Sequence, residues 1–187
     1  RGRRLLAEAA VVVVDRLGPV DLLDELSPDV EVIDVGKRPQ HHPVPQDEIN
    51  ALIVDRAARG LRVVRLKGGD PFVYGRGGEE VIACRAAGIP VEVVPGISSA
   101  IAVPSAAGVP VTHRGVAGTL HVVNGQETPS EATLAALRDD TATVVALMGV
   151  SALPRFVAAA RAAGAPDTRP VAFVENGHTP AQRTIRT

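Results

Sequence analysis

Short β-branched runs alternate with alanine-rich stretches along this chain, and the two differ in period. The runs at residues 10–14, 30–34, 61–66, 91–94, 120–123, 143–147 and 171–174 read as strands. Those at 11–14 and 61–66 read as strands covered on both faces. Between them, residues 47–59 bring Ile49, Leu52, Ile53 and Ala57 to one helical face, after Pro45 and before Gly60. Helices are also expected at 78–87, 130–137 and 151–163, each closing near a glycine or a polar turn. Residues 98–107 have helical composition, with Pro104 expected to kink or split them. Strand and helix in alternation predict an α/β fold with mainly parallel sheets.

Residues 108–118 carry three glycines, a proline and the triplet Thr112-His113-Arg114, and read as a linker. The expected organisation is therefore a first α/β domain over 1–112 and a second over 113–187. The opening residues 1–10 read as a helix running into a strand, and the chain stops at Thr187 just after its last strand signal. With sheet edges left open in this way, the sequence reads as an internal fragment of a longer protein.

Composition narrows the classes. Of 187 residues, 45% are hydrophobic and only 2% aromatic, so the core must be built from Val, Leu, Ile and Ala. A formal net charge of −1 gives no general attraction to nucleic acid or an anionic membrane. No apolar run is long enough to span a bilayer, and no secretory leader opens the chain. The single cysteine, Cys84, falls in a helical stretch and reads as a buried structural thiol in a soluble, reducing, cytoplasmic setting.

The strongest chemical signal is the stretch from Lys67 to Gly78, with five glycines in twelve residues between a strand and a helix. In open α/β sheets ligands settle at that edge, and glycines let the backbone come close to them. The spacing is neither Gly-x-Gly-x-x-Gly nor a P-loop, and Asp70 would repel phosphate, so a neutral or cationic ligand suits the loop. A second signal, Pro95-Gly96-Ile97-Ser98-Ser99, also follows a strand and can serve as a helix cap or a ligand contact. A third pairs Asp15-Arg16 with Gly36-Lys37-Arg38, both at expected strand carboxyl ends, as solvated loop charges or as an acid/base pair. Arg16, Lys37, Arg38, His41, His42, Arg76, His113 and Arg114 cluster near these loops, which suits a polycarboxylate small molecule. His41-His42 lacks companions at metal-ligand spacing, so no metal is expected.

These motifs carry a resemblance. Val-Gly-Lys-Arg at 35–38, Gly-Gly-Asp-Pro-Phe-Val-Tyr-Gly-Arg-Gly-Gly-Glu-Glu at 68–80, Val-Val-Pro-Gly-Ile-Ser-Ser at 93–99, Gly-Val-Pro-Val-Thr-His-Arg at 108–114 and Val-Glu-Asn-Gly at 174–177 resemble the uroporphyrinogen-III C-methyltransferases of the tetrapyrrole methylase superfamily. The resemblance implies a two-domain enzyme, usually a homodimer, with cofactor and substrate in a cleft between domains. Its implied cofactor is S-adenosylmethionine, leaving as S-adenosylhomocysteine, and its implied substrate is a tetrapyrrole. Carried over position by position, the implied cofactor contacts are Gly68, Gly69, Asp70, Val73, Ser98, Ser99, Met148 and Gly177. The implied proton acceptor is Asp15 and the implied proton donor Lys37, with Arg16, Arg38, Arg76, His113 and Arg114 suited to the substrate carboxylates. The family also begins with a strand and a Gly-x-Gly-Pro-Gly loop that would precede Arg1. The competing readings are a methyltransferase for a later corrinoid precursor, a cofactor-binding module without catalysis, and a nucleotide-phosphate enzyme that Asp70 disfavours.

Overall fold

The computed structural model describes residues 1–15, 17–36 and 44–187. It forms two compact units, Arg1–Ser98 and Ser99–Thr187.

The first unit contains α1 (Gly2–Ala7), β1 (Val11–Val14), a 3₁₀ segment (Val20–Glu25), β2 (Glu31–Asp34), α2 (Gln46–Ala58), β3 (Val63–Leu66) and α3 (Gly77–Ala86). Its sheet is fully parallel in the order β2-β1-β3, so β1 lies between two neighbours. All four β1 valines are buried, and their alternation builds two cores. Val11 and Val13 pack with Val35, Ile49, Ile53 and Cys84 on one face, whereas Val12 and Val14 pack with Leu6 and Ala9 on the other. Each such side chain removed from water contributes about 1.5–3 kcal/mol, which explains why this strand carries four valines in a row. The face predicted for 47–59 is the one buried, through Ile49 and Ile53.

Cys84 lies inside the first of these cores. Burial pushes its thiol up, and the nearby Glu80 charge adds to the effect. The folded chain is therefore expected to react with a disulfide reagent at less than about one hundredth of the rate of the denatured chain. Equal rates in the two states would contradict this placement.

The second unit contains α4 (Ser99–Ala106), β4 (Thr119–Asn124), α5 (Glu131–Arg138), β5 (Ala142–Leu147), α6 (Leu153–Ala162), β6 (Ala172–Glu175) and β7 (Arg183–Arg186). β4 and β5 pair in parallel, and β6 and β7 form an antiparallel pair. Ser130 caps α5 by accepting from the Thr133 amide at 3.3 Å, as its position before the helical run predicts.

Four features differ from the sequence reading. The division falls between Ser98 and Ser99, ahead of the glycine-rich stretch, because α4 is tied into the second unit. His178 Nε2 donates to the Ala102 carbonyl at 2.8 Å and Gln182 Nε2 to the Ala106 carbonyl at 3.2 Å. Residues 91–94 form no strand; Pro90 and Pro95 bracket them, and neither can donate to a ladder. Pro104 sits inside α4, which runs on to Ala106 although the proline withholds the donor that would reach back to the Ala100 carbonyl. The last strand signal does have a partner, β7, whose alternating Arg-Thr-Ile-Arg pattern is exposed throughout and carries little hydrophobic signature.

Candidate functional site

Register brings the chemistry of the first unit to one edge. Val14 pairs with both Asp34 and Leu66, so the three parallel strands end level. Asp15, Val35-Gly36 and Lys67 therefore leave the sheet side by side, at the edge where open α/β sheets hold ligands.

The glycine-rich loop is held against its neighbours by contacts that exclude a side chain. A Cβ on Gly68 would lie 2.0 Å from the Leu17 carbonyl oxygen, and one on Gly96 would lie 2.0 Å from the Gly69 carbonyl oxygen. Gly69 itself has φ +66°, which a side chain would strain. Asp70 joins the two loops: its Oδ1 accepts from the Phe72 amide at 2.9 Å, and its Oδ2 accepts from the Gly96 amide at 3.1 Å. The carboxylate is thus a clasp between the loops at 68–78 and 94–99. That gives Asp70 a role built from backbone hydrogen bonds, whatever it also offers a ligand. Beyond it the chain makes a tight turn, with Tyr74 and Arg76 at φ +52° and +55°, and leaves Phe72, Val73 and Tyr74 exposed.

Neither cation of this loop points outward unpaired. Arg76 is exposed and bonded to Glu79, with Nε to Oε1 at 2.8 Å. Lys67 turns inward to Glu80, Nζ to Oε1 at 3.3 Å, and burial pushes its ammonium down. A loop with both cations paired to glutamates and a carboxylate at its centre suits a neutral or positively charged ligand better than a phosphate. The Cβ directions at Gly68 and Gly96 are filled by the protein's own backbone, so these glycines let the loops at the carboxyl edge pack directly on one another.

Beneath the loop lies a group of charges. Arg65 Nη2 donates to Asp15 Oδ2 at 2.8 Å, and Arg65 Nε donates to Glu80 Oε1 at 3.0 Å. The same Glu80 oxygen accepts from Lys67 and from Gln46 Nε2 at 3.3 Å. Glu80 is only 6% exposed. Asp15 Oδ1 accepts from the Leu17 and Gly18 amides at 3.0 and 3.1 Å. The sequence analysis gave a role to Asp15, named Lys67 and Glu80 only as the ends of the glycine-rich motif, and did not name Arg65 or Gln46. One signal was present: Arg65 is a charge within the otherwise apolar β3, and a charge there must find a partner on folding.

In the second unit, β4 and β5 also end together, and their exits meet closely. A Cβ on Gly125 would lie 2.6 Å from the Gly149 Cα. Met148, between β5 and that glycine, has φ +61° and is 49% exposed. A methionine in the left-handed region, half in water, is not placed as core. Gly177 sits against Val103, where a Cβ would come within 2.8 Å of a methyl group, between Asn176 and His178 at φ +50° and +66°. Ser99 opens α4. His113 and Arg114 are exposed on a turn closed by mutual backbone bonds of 2.9 Å between His113 and Ala117.

Of the residues singled out from sequence, the first unit thus gathers Asp15, Gly68, Gly69, Asp70, Val73 and Arg76 about one sheet edge, with Ser98 at the end of the clasped second loop. Met148, Gly177, Ser99, His113 and Arg114 belong to the second unit. Arg16, Lys37, Arg38, His41 and His42 lie outside the described residues. Among the described residues no three metal-ligating side chains cluster, and no helix is long and apolar enough to cross a membrane.

Known proteins resemble this chain in sequence and in fold. A family model described as tetrapyrrole (corrin/porphyrin) methylases matches residues 1–187. The chain is 45% identical, over 100% of its length and 78% of the relative's, to a uroporphyrinogen-III C-methyltransferase of Methanocaldococcus jannaschii. It is 43% identical to a siroheme synthase of Methylococcus capsulatus, covering 99% of this chain but only 40% of that longer protein. Among solved structures, the uroporphyrin-III C-methyl transferase of Thermus thermophilus complexed with S-adenyl homocysteine matches with TM-score 0.78 and 39% identity, over 99% of this chain and 78% of that one. A cobalt precorrin-4 methyltransferase shares the fold, with TM-score 0.80 and 24% identity over 99% of this chain and 77% of that one.

Proposed function

This chain belongs to the tetrapyrrole (corrin/porphyrin) methylase family, and from that premise we propose that it transfers methyl groups from S-adenosylmethionine to ring carbons of uroporphyrinogen III. The product is precorrin-2, which feeds siroheme or cobalamin synthesis. The observation that carries this reading is the shared sheet edge, where the loop after Asp15 touches the glycine loop so closely that Gly68 admits no Cβ beside Leu17. The proposed proton acceptor and the proposed cofactor loop are thereby locked together.

S-adenosylmethionine supplies an electrophilic methyl group on a sulfonium. The protein's task is mainly alignment, since an enamine-like pyrrole carbon must face that methyl group in line with sulfur. Gly68, Gly69 and the Asp70 clasp hold the nucleoside through backbone, with Val73, Ser98 and Ser99 beside it. Met148 and Gly177 are the proposed contacts from the second unit. Asp15 takes up a proton from the macrocycle, and Lys37 returns one. Arg16, Arg38, Arg76, His113 and Arg114 bind the substrate's carboxylates, for which guanidinium forks are well matched. The working assembly is a cytoplasmic homodimer.

The test is product analysis by mass spectrometry with uroporphyrinogen III and S-adenosylmethionine. Two successive additions of a methyl group are expected. Turnover of already methylated precursors alone would assign the chain to a later corrinoid step. Calorimetric binding of S-adenosylhomocysteine with no transfer would make it a binding module.

A further inference from the structure

Arg65 lies on β3, between Val64 and Leu66, in a position where a strand of this kind ordinarily carries an apolar side chain. Its side chain is 13% exposed, and each guanidinium nitrogen is engaged. Nη2 reaches Asp15, Nε reaches Glu80, and Nη1 donates to the carbonyls of Leu66 at 2.9 Å and Val13 at 3.3 Å. The planar fork is therefore fixed from three directions: by the backbone of β1 and β3, by a buried carboxylate on α3, and by Asp15. A lysine ammonium has three donors on a single nitrogen and cannot make these four bonds from the separated positions of the fork.

Asp15 is held from the other side by two backbone amides on Oδ1. Among the described residues, Oδ2 accepts only from Arg65, which leaves it a lone pair for the edge of the sheet. Glu80 is held in turn by Lys67 and Gln46, so it cannot drift from Arg65. A buried group of charges adds little stability over apolar side chains of the same volume. Its location directly beneath the candidate site therefore points to a role in the chemistry.

We propose that Arg65 is a positioning residue for methyl transfer, holding the Asp15 carboxylate in its working orientation at the sheet edge, with Glu80 as its brace. This rests on the reading of Asp15 as proton acceptor, and the experiment separates the two. Steady-state methylation of uroporphyrinogen III by the full chain is measured for Arg65→Met, Arg65→Lys, Asp15→Asn and the double variant Asp15→Asn/Arg65→Met. Arg65→Met is expected to lower kcat about 100-fold while KM for S-adenosylmethionine stays within about twofold. Arg65→Lys is expected to recover about tenfold of that loss, because it restores charge without the fork. In the Asp15→Asn background, Arg65→Met should cost less than about threefold more, since it acts through a carboxylate already removed.

Near-wild-type kcat in Arg65→Met alongside a crippled Asp15→Asn overturns the positioning role alone. So does full multiplication of the two losses, or a loss confined to KM. A wild-type rate in Asp15→Asn instead strikes the reading of Asp15, and this proposal falls with it. If Arg65→Met does not fold, Arg65→Lys carries the test: a loss of about tenfold in kcat at unchanged KM supports the role, and a wild-type rate overturns it.

Discussion

Glu80→Ala should destabilise the first unit by about 3–5 kcal/mol, the cost of removing one partner from a buried ion pair. Glu80 is almost fully buried, and one of its oxygens receives both Arg65 and Lys67. Without it, two cations would remain in a space where, among the described residues, the more exposed Asp15 is the remaining counter-charge. Burial already pushes the Lys67 ammonium down, which shows the direction in which the cluster would respond. Glu80→Gln keeps the shape and some hydrogen bonding, so its cost should be smaller. Denaturant unfolding followed by circular dichroism reads the change, and exchange of the β1 amides assigns it to the first unit. An unchanged midpoint for Glu80→Ala would mean that water reaches these charges and that the cluster is not the closed one described above.

Gly68→Ala is expected to weaken S-adenosylhomocysteine binding by tenfold or more, while destabilising the fold by about 1–3 kcal/mol, the usual range for forcing extra volume into a packed site. The added methyl group would meet the Leu17 carbonyl at 2.0 Å, and backbone on both sides must move to admit it. That motion displaces the start of the glycine loop from the Asp15 turn. The companion Gly78→Ala has nothing within 4 Å of its Cβ and should bind normally. Calorimetry on the two variants makes the comparison. Equal affinity in both would separate the close approach at Gly68 from ligand binding and remove the observation on which the proposed function rests.

Much of this architecture was legible before folding was considered. Val11 to Val14 read as a strand covered on both faces, and the two valine pairs do enter two different cores. The glycine loop was recognisable because five glycines in twelve residues exceed what a connector needs. Both signals are local: period and glycine content are properties of neighbouring residues, and the physics that uses them acts over the same few positions.

Long-range pairing was not legible in that way. Asp70 suggested a ligand contact, yet its carboxylate also bonds the Gly96 amide, 26 positions away. Arg65 and Asp15 are 50 positions apart and meet only because parallel register sets β1 and β3 level. Residues 91–94 had the composition of a strand but sit between two prolines that withhold ladder donors, while β7 is recognisable chiefly by its partner β6. The order of residues thus dictates which segments become strands, helices and glycine loops, because those choices depend on neighbours along the chain. Which charges meet, and which loops are clasped, is left to packing, since a guanidinium buried in a sheet must take whatever carboxylate the register brings within 3 Å.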